Sequence, residues 1–493
     1  MTSSRLRKIG ALLAGLLAAA AVPAAAAAAP VTPELTFGHV TLVPGGPAKL
    51  QDAYFWAYEQ NYTLHDVTAV IDASQLAGVA TAKLEFDDID DHCSAAGTVF
   101  TCTFDSLAAP DGFAGITSVS YRAADGAKPG AEGSVGLKVT SRELGTVRKT
   151  AKITVAEGVS LAADGDGVIE RSAKPGATVT TPLGVRNDGA NAITGVDLFF
   201  FIDPWYGMAK HYSNCLYGTS AAYCHFDTTL KPGGSYLPAE PMGLAIRPDV
   251  PAPDVIGQTY NWYTPADNRD NIDLVNAQKP KRGTDGALAL KQKVSALTVP
   301  QTDTSGGADW QTTIVSVTGS QQADLAAAGA SVSGATGATV TAAVGVKNLG
   351  PAFVFGFPDP AAKVTVTVPA GVSVVTVPEG CVKTGAAYVC TTTAMPFDVN
   401  ATVTWPFELR IDRDGTLTGA VRVKSAQPDG NAANDGAELV VNPPAAGEGG
   451  GQGGGSLPIT GTPVLLIAGA GVLLLAGGVV AFVISRRRSR FVA

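Results

Sequence analysis

Hydrophobic and polar positions alternate in short runs through the middle of the chain. VTVTV at residues 364–368 and the Val-rich runs at 372–377, 420–423 and 438–441 are each cut off by Pro, Gly, Asn or Asp within a few positions. A period of two puts successive side chains on opposite faces of a strand, and turn formers at this spacing close hairpins. The pattern predicts short antiparallel strands rather than long amphipathic helices. Many such strands, evenly punctuated, predict an all-β chain of antiparallel β-sandwiches.

Two stretches break the pattern. In residues 1–30, Arg5, Arg7 and Lys8 precede a short apolar run (11–22) and an Ala-rich stretch (24–29). That order predicts a secretory signal peptide, too short and too Ala-rich to stay as a membrane span. At the other end, residues 464–484 form an unbroken apolar run of 21 residues. As a helix it covers roughly 30 Å, the thickness of a bilayer core, and is expected to be a transmembrane segment. Arg486, Arg487, Arg488 and Arg490 follow in the tail at 485–493 and predict a cytoplasmic stop-transfer signal, with everything upstream outside. Before the span come a Gly-rich flexible linker (443–456) and the pentapeptide Leu457, Pro458, Ile459, Thr460, Gly461.

The exported part repeats itself. Its six cysteines fall as Cys93/Cys102, Cys215/Cys224 and Cys381/Cys390, each pair at the same spacing. Each loop holds a Gly (Gly97, Gly218, Gly385), with an aromatic just before the second Cys (Phe100, Tyr223, Tyr388). Outside the cell, pairing within each set is expected, stapling a β-hairpin around the Gly. Closing a loop of about ten residues contributes roughly 2.5–3 kcal/mol. Zinc fits poorly: structural sites use four ligands at closer spacing, and only His92 and His225 stand beside a cysteine. A second repeat, GATVTTPLGVRNDG (176–189) against GATVTAAVGVKNLG (337–350), reads as a strand followed by an Asn/Gly turn. Three β-domains are therefore expected, at 31–156, 157–302 and 306–442, with a linker at 301–308. The first unit shows the second repeat only faintly.

Charge narrows the partners. The formal net charge is −8, and setting aside the seven basic residues of leader and tail leaves 28 basic against 43 acidic, a net −15. A polyanion is repelled by phosphate backbones, so no nucleic-acid partner is expected.

The order of LPITG, apolar span and short Arg-rich tail resembles the sorting signal of sortase-anchored (LPxTG-type) Gram-positive cell-wall surface proteins. The resemblance implies that a sortase cleaves after Thr460, holds its carbonyl as a thioester, and passes it to an amine of the peptidoglycan precursor. The membrane then holds the chain only before sorting. KNLGP (347–351), VTVPAGV (366–372) and PDGNAANDGAELVV (428–441), with a looser PADNRDN (265–271), resemble the Ig-like repeat domains of bacterial surface proteins. That resemblance implies three tandem Ig-like sandwiches and a stalk, adhesin-like or binding role, with the extracellular ligand left open.

Candidate chemistry is sparse. EFDDIDDHC (85–93), Asp164–Asp166, the group Asp267, Asn268, Asp270, Asn271, Asp273, and the group Asp429, Asn431, Asn434, Asp435 have the oxygens calcium favours, but none completes an EF-hand ladder. They are read as turns built by Asp and Asn side chains. YFWAY (54–58) with Tyr62, FFFIDPWY (199–206) and YNWY (260–263) offer aromatic faces that can stack on sugars. In sandwiches such runs are more often core, and Phe199 and Phe201 are expected inward with Phe200 outward. GxSxG and HExxH are absent, and no catalytic residue, metal or cofactor is expected.

Overall fold

The computed structural model describes residues 32–444, apart from 58–60, 86–91, 111, 166, 291–299, 305–308 and 357–358. The expected leader, Leu457 to Gly461, the apolar run at 464–484 and Arg486, Arg487, Arg488 and Arg490 lie outside the described residues.

The first sandwich comprises β1 (Glu34–Thr36), β2 (Val40–Leu42), β3 (Lys49–Trp56), β4 (Tyr62–Asp72), β5 (Ala80–Glu85), β6 (Cys93–Ala96), β7 (Val99–Ala109), β8 (Phe113–Ala123), β9 (Glu132–Ser141) and β10 (Gly145–Val155). One sheet has the order β1-β3-β8-β5, the other β2-β10-β9-β4-β7-β6. All neighbours are antiparallel except β2 and β10. Alternation drives the packing: Leu64, Val67, Ala69 and Ile71 of β4 point inward onto Ile116 and Val119 of the facing sheet's β8, in one core.

The second sandwich contains β11 (Glu157–Val159), β12 (Leu161–Ala163), β13 (Val168–Ala173), β14 (Thr178–Thr181), β15 (Val185–Asn187), β16 (Ile193–Phe201), β17 (Tyr206–Met208), β18 (Cys215–Tyr217), β19 (Ala221–Leu230), β20 (Ser235–Tyr236), β21 (Met242–Ile246) and β22 (Ala252–Tyr263). Helix α1 (Arg269–Ala277), β23 (Lys281–Arg282), β24 (Gln301–Asp303) and β25 (Trp310–Gln321) complete it. The third contains β26 (Leu325–Ala328), β27 (Ala330–Val332), β28 (Thr339–Asn348), β29 (Ala362–Thr367), β30 (Val372–Thr376), β31 (Cys381–Thr384), β32 (Ala387–Thr391), β33 (Thr402–Ile411), β34 (Leu417–Ser425) and β35 (Gly436–Val441).

The third sandwich repeats the first strand for strand, with sheets β26-β28-β33-β30 and β27-β35-β34-β29-β32-β31. The second follows the same plan with three changes. The counterpart of β33 is divided into β20 and β21. The counterpart of β28 is broken into β14 and β15, and Pro182 stands in the break where the third repeat has Ala343 inside continuous β28. Proline offers no N–H to a ladder, so the strand divides there. The last two strands are also separated by residues 264–309, which carry α1, β23 and β24 before the chain returns as β25.

That insertion moves a boundary. Gln301–Asp303, expected in a linker, is a strand paired in parallel with β11, and β25 pairs with both β13 and β22. The second sandwich therefore runs through Gln321, not to 302. The closing strand lies so far along the chain from its partner β22 that it resembles the start of the next unit. The order within FFF also differs from expectation. Phe200 faces the sandwich core beside Tyr260, Phe201 is exposed, and Phe199 points outward but is buried under Val275 of α1. The outer face expected to meet solvent is covered by the insertion.

Candidate functional site

The cysteine pairs form three disulfides, Cys93–Cys102, Cys215–Cys224 and Cys381–Cys390. In each, the partners stand directly opposite in neighbouring antiparallel strands: β6 with β7, β18 with β19, β31 with β32. Gly97 and Gly385 turn their hairpins with φ of +64° and +61°, a conformation that tight hairpin turns need and other residues resist. In the first and third sandwiches the stapled hairpin is the outer edge of its sheet. In the second, β23 pairs along β18 and covers that edge.

The Asn of the second repeat is buried rather than a surface turn residue. Asn348 donates from Nδ2 to the carbonyls of Ala352 (2.9 Å) and Phe397 (3.1 Å) and accepts from Gly350 N–H (2.8 Å). Asn187 does the same with Asn191, Leu230 and Gly189. The inner glycines of the motif, Gly184 and Gly345, sit against the carbonyls of Asp164 and Val403, where a Cβ would come within 2.7 and 2.2 Å.

The sandwiches meet through side chains as well as through chain. Only Ala156 separates β10 from β11; it is buried and its N–H donates to Leu42 O at 2.8 Å. The insertion of the second sandwich reaches across. Asp270 accepts from the backbone N–H of His39 at 2.9 and 3.0 Å, Arg269 donates to Thr154 Oγ1 at 3.1 Å, and Lys49 donates to Thr302 Oγ1 at 3.1 Å. At the second junction, Phe353 of the third sandwich is wholly buried within the core of the second. Its N–H donates to Asp249 O at 2.9 Å, Trp205 meets its ring edge-on, and the guanidinium of Arg247 lies 4.8 Å over its face. Arg247 also pairs with Asp249 (2.7 Å) and with Asp398 of the third sandwich (2.6 Å).

Several of the acidic side chains serve backbone and hydroxyl donors, whereas Asp435 has a buried oxygen without a hydrogen-bond partner. Asp429 accepts from Leu325 and Asn431 N–H, and Asp267 from Asp303 N–H and the Thr264 and Thr302 hydroxyls. Asp270, Asn271 and Asp273 lie in α1 itself rather than in a turn. Asp87 to Asp91 and Asp166 lie outside the described residues. Among the described residues no three His, Cys, Asp or Glu side chains are grouped to hold a metal ion. The closest approach to a catalytic arrangement is His225, whose Nδ1 lies 2.6 Å from the buried Asp197 and whose Nε2 lies 3.0 Å from exposed Asp227. The bond to Asp197 raises the imidazole pKa against the opposing effect of burial. Asn268 holds the other Asp197 oxygen at 3.0 Å.

Of the aromatic runs, Phe55, Tyr260 and Trp262 are core; Tyr54 and Tyr62 are half-buried, and Trp56 and Phe201 are exposed. Phe113, which no sequence pattern marked, lies opposite Trp56 on β8 and is also exposed. A close pairing of β3 with β8 is the only signal that finds it.

No family model matches the chain, and no curated protein matches it. Among solved structures, a protein of unknown function from Porphyromonas gingivalis W83 is 14% identical, covering 54% of this chain and 99% of its own, with a TM-score of 0.20. An I-band fragment of titin is 9% identical over 84% of this chain and 98% of its own, at 0.16. The Ig-domain complex of Dpr2 with DIP-Theta is 8% identical over 83% and 98%, at 0.19. Likeness at this level carries no argument; the fold rests on the strand pairing itself.

Proposed function

We propose that this chain is an exported surface protein, fixed covalently to peptidoglycan by a sortase, that displays three β-sandwiches outside the cell as a structural or adhesin-like stalk. The observation that carries the anchoring is the C-terminal order of Gly-rich linker, LPITG, apolar run of 21 residues and Arg tail, behind a charged leader at the other end. The span halts the chain with Leu457 to Gly461 just outside the bilayer, within reach of a membrane-bound transpeptidase. The Gly-rich composition ahead of it suits a pentapeptide that an enzyme must reach. Sortase and the peptidoglycan precursor are then the partners, and the membrane is only a waypoint.

Three disulfides fit an oxidising exterior. Short junctions, of one residue after β10 and three after β25, with interlocked side chains fit a role in which the sandwiches are held in fixed order away from the wall. The His225–Asp197 pair supports no catalytic reading, because Asp227 occupies the free ring nitrogen.

Mass spectrometry on protein released from the wall by muramidase tests this. The expected C-terminal peptide ends at Thr460 and carries a peptidoglycan fragment. A tail intact through Ala493, extractable by detergent alone, would make the chain a single-pass membrane protein instead.

A further inference from the structure

We infer that the outer face of the β1-β3-β8-β5 sheet is a platform for a neutral saccharide, built by Trp56, Phe113 and Tyr54 and flanked by Asp52 and Ser118. Outward positions of β3 carry Asp52, Tyr54 and Trp56 in succession, and Trp56 pairs across the sheet with Phe113. Trp56 is 41% exposed and Phe113 49%. The Tyr54 and Phe113 rings lie 5.0 Å apart at 38°. Gly115, the cross-strand partner of Tyr54, lies against the Phe113 ring: a Cβ there would meet it in ordinary contact at 3.6 Å, so only a larger side chain would displace the ring. Beside the rings, Ser118 donates to one oxygen of Asp52 at 2.5 Å.

Three considerations choose the occupant. The fold does not require these rings, because the same face of the third sandwich, with identical topology, places exposed Lys347 opposite Thr402 at the first position of β33, as Trp56 stands opposite Phe113 at the first position of β8. The patch is small: with side chains of about 150–250 Å² each, two half-exposed rings leave roughly 200 Å² open. A stable protein contact buries about 800 Å² per partner. Flat rings beside a carboxylate and a hydroxyl suit a ligand with apolar C–H faces and hydroxyl edges, which is the chemistry of a pyranose. The platform also lies at the Trp56 end of β3, while the Lys49 end meets the second sandwich through Thr302; at about 3.3 Å per residue these ends are roughly 23 Å apart.

The inference names what the proposed stalk displays, and its test is independent of wall attachment because it uses the soluble exported chain. Native affinity electrophoresis is run against soluble β-1,3- and β-1,4-glucans, xylan, mannan, galactan and muramidase-released peptidoglycan fragments. At least one polymer is expected to retard the chain, with Trp56→Ala and Phe113→Ala each weakening binding tenfold or more. Gly115→Val, which props up the Phe113 ring while keeping both aromatics, is expected to weaken it as well. Trp310→Ala, at the equally exposed tryptophan of the second sandwich, is expected to leave it unchanged. Retardation by peptidoglycan alone would direct the platform to the chain's own wall, and by the other polysaccharides to foreign surfaces; both support a saccharide site. No retardation by any polymer, an equal loss in Trp310→Ala, or wild-type binding by a Trp56→Ala/Phe113→Ala double variant with an unchanged unfolding midpoint overturns it.

Discussion

Asn348 and Asn187 show how one side chain can hold a sandwich end together. Each fills a buried position with three hydrogen bonds to backbone groups around the turn it closes. Asn348→Ala removes the side-chain partner of the Ala352 carbonyl and of the Gly350 N–H, and one of the two donors to the Phe397 carbonyl, which keeps the Val354 N–H. At about 1 kcal/mol for each lost bond, and more where the group stays dry, the third sandwich is expected to lose about 3 kcal/mol. Urea unfolding followed through Trp405, which is buried in that core, measures it. The Asn-x-Gly spacing made a turn legible in the sequence. It did not reveal burial, because the carbonyls that Asn348 serves belong partly to Phe397, 49 positions away. The Phe199 to Phe201 run misled for a related reason: period two separates two faces but does not say which one another element covers.

At the scale of elements, the equal spacing of the cysteines was enough to place three stapled hairpins, since nearest-neighbour strands are local in sequence. What differs is their cover. Cys93 and Cys381 are half-buried on open edge strands, whereas Cys215 and Cys224 are fully buried with β23 on the outer side. Under graded reductant in native buffer, differential alkylation is expected to label Cys93/Cys102 and Cys381/Cys390 well before Cys215/Cys224. Equal labelling of all three pairs would mean that β23 does not protect the edge. The two-residue strand β23 was invisible beforehand, because Lys281 and Arg282 have no strand-like pattern of their own and pair only because the insertion delivers them to β18.

For the whole molecule, the junctions make each sandwich depend on its neighbour. Phe353 lies in the chain segment of the third sandwich but in the core of the second, so Phe353→Ala is expected to cost about 3–5 kcal/mol. Calorimetry is expected to show a lowered transition for the second sandwich and its separation from that of the third. An unchanged second transition would mean that the two cores are independent. From the sequence by itself came the all-β class and the cysteine pairing, because each is written in local spacing or alternation, and the export and anchoring proposed above rest on the sequence alone. Only tertiary structure decided that the second unit extends through Gln321, that α1 covers Phe199, that Asp270 grips the backbone of His39, and that Phe113 joins Trp56 on one face. Those depend on which distant segments meet, and a chain records such meetings only in the shape it folds to.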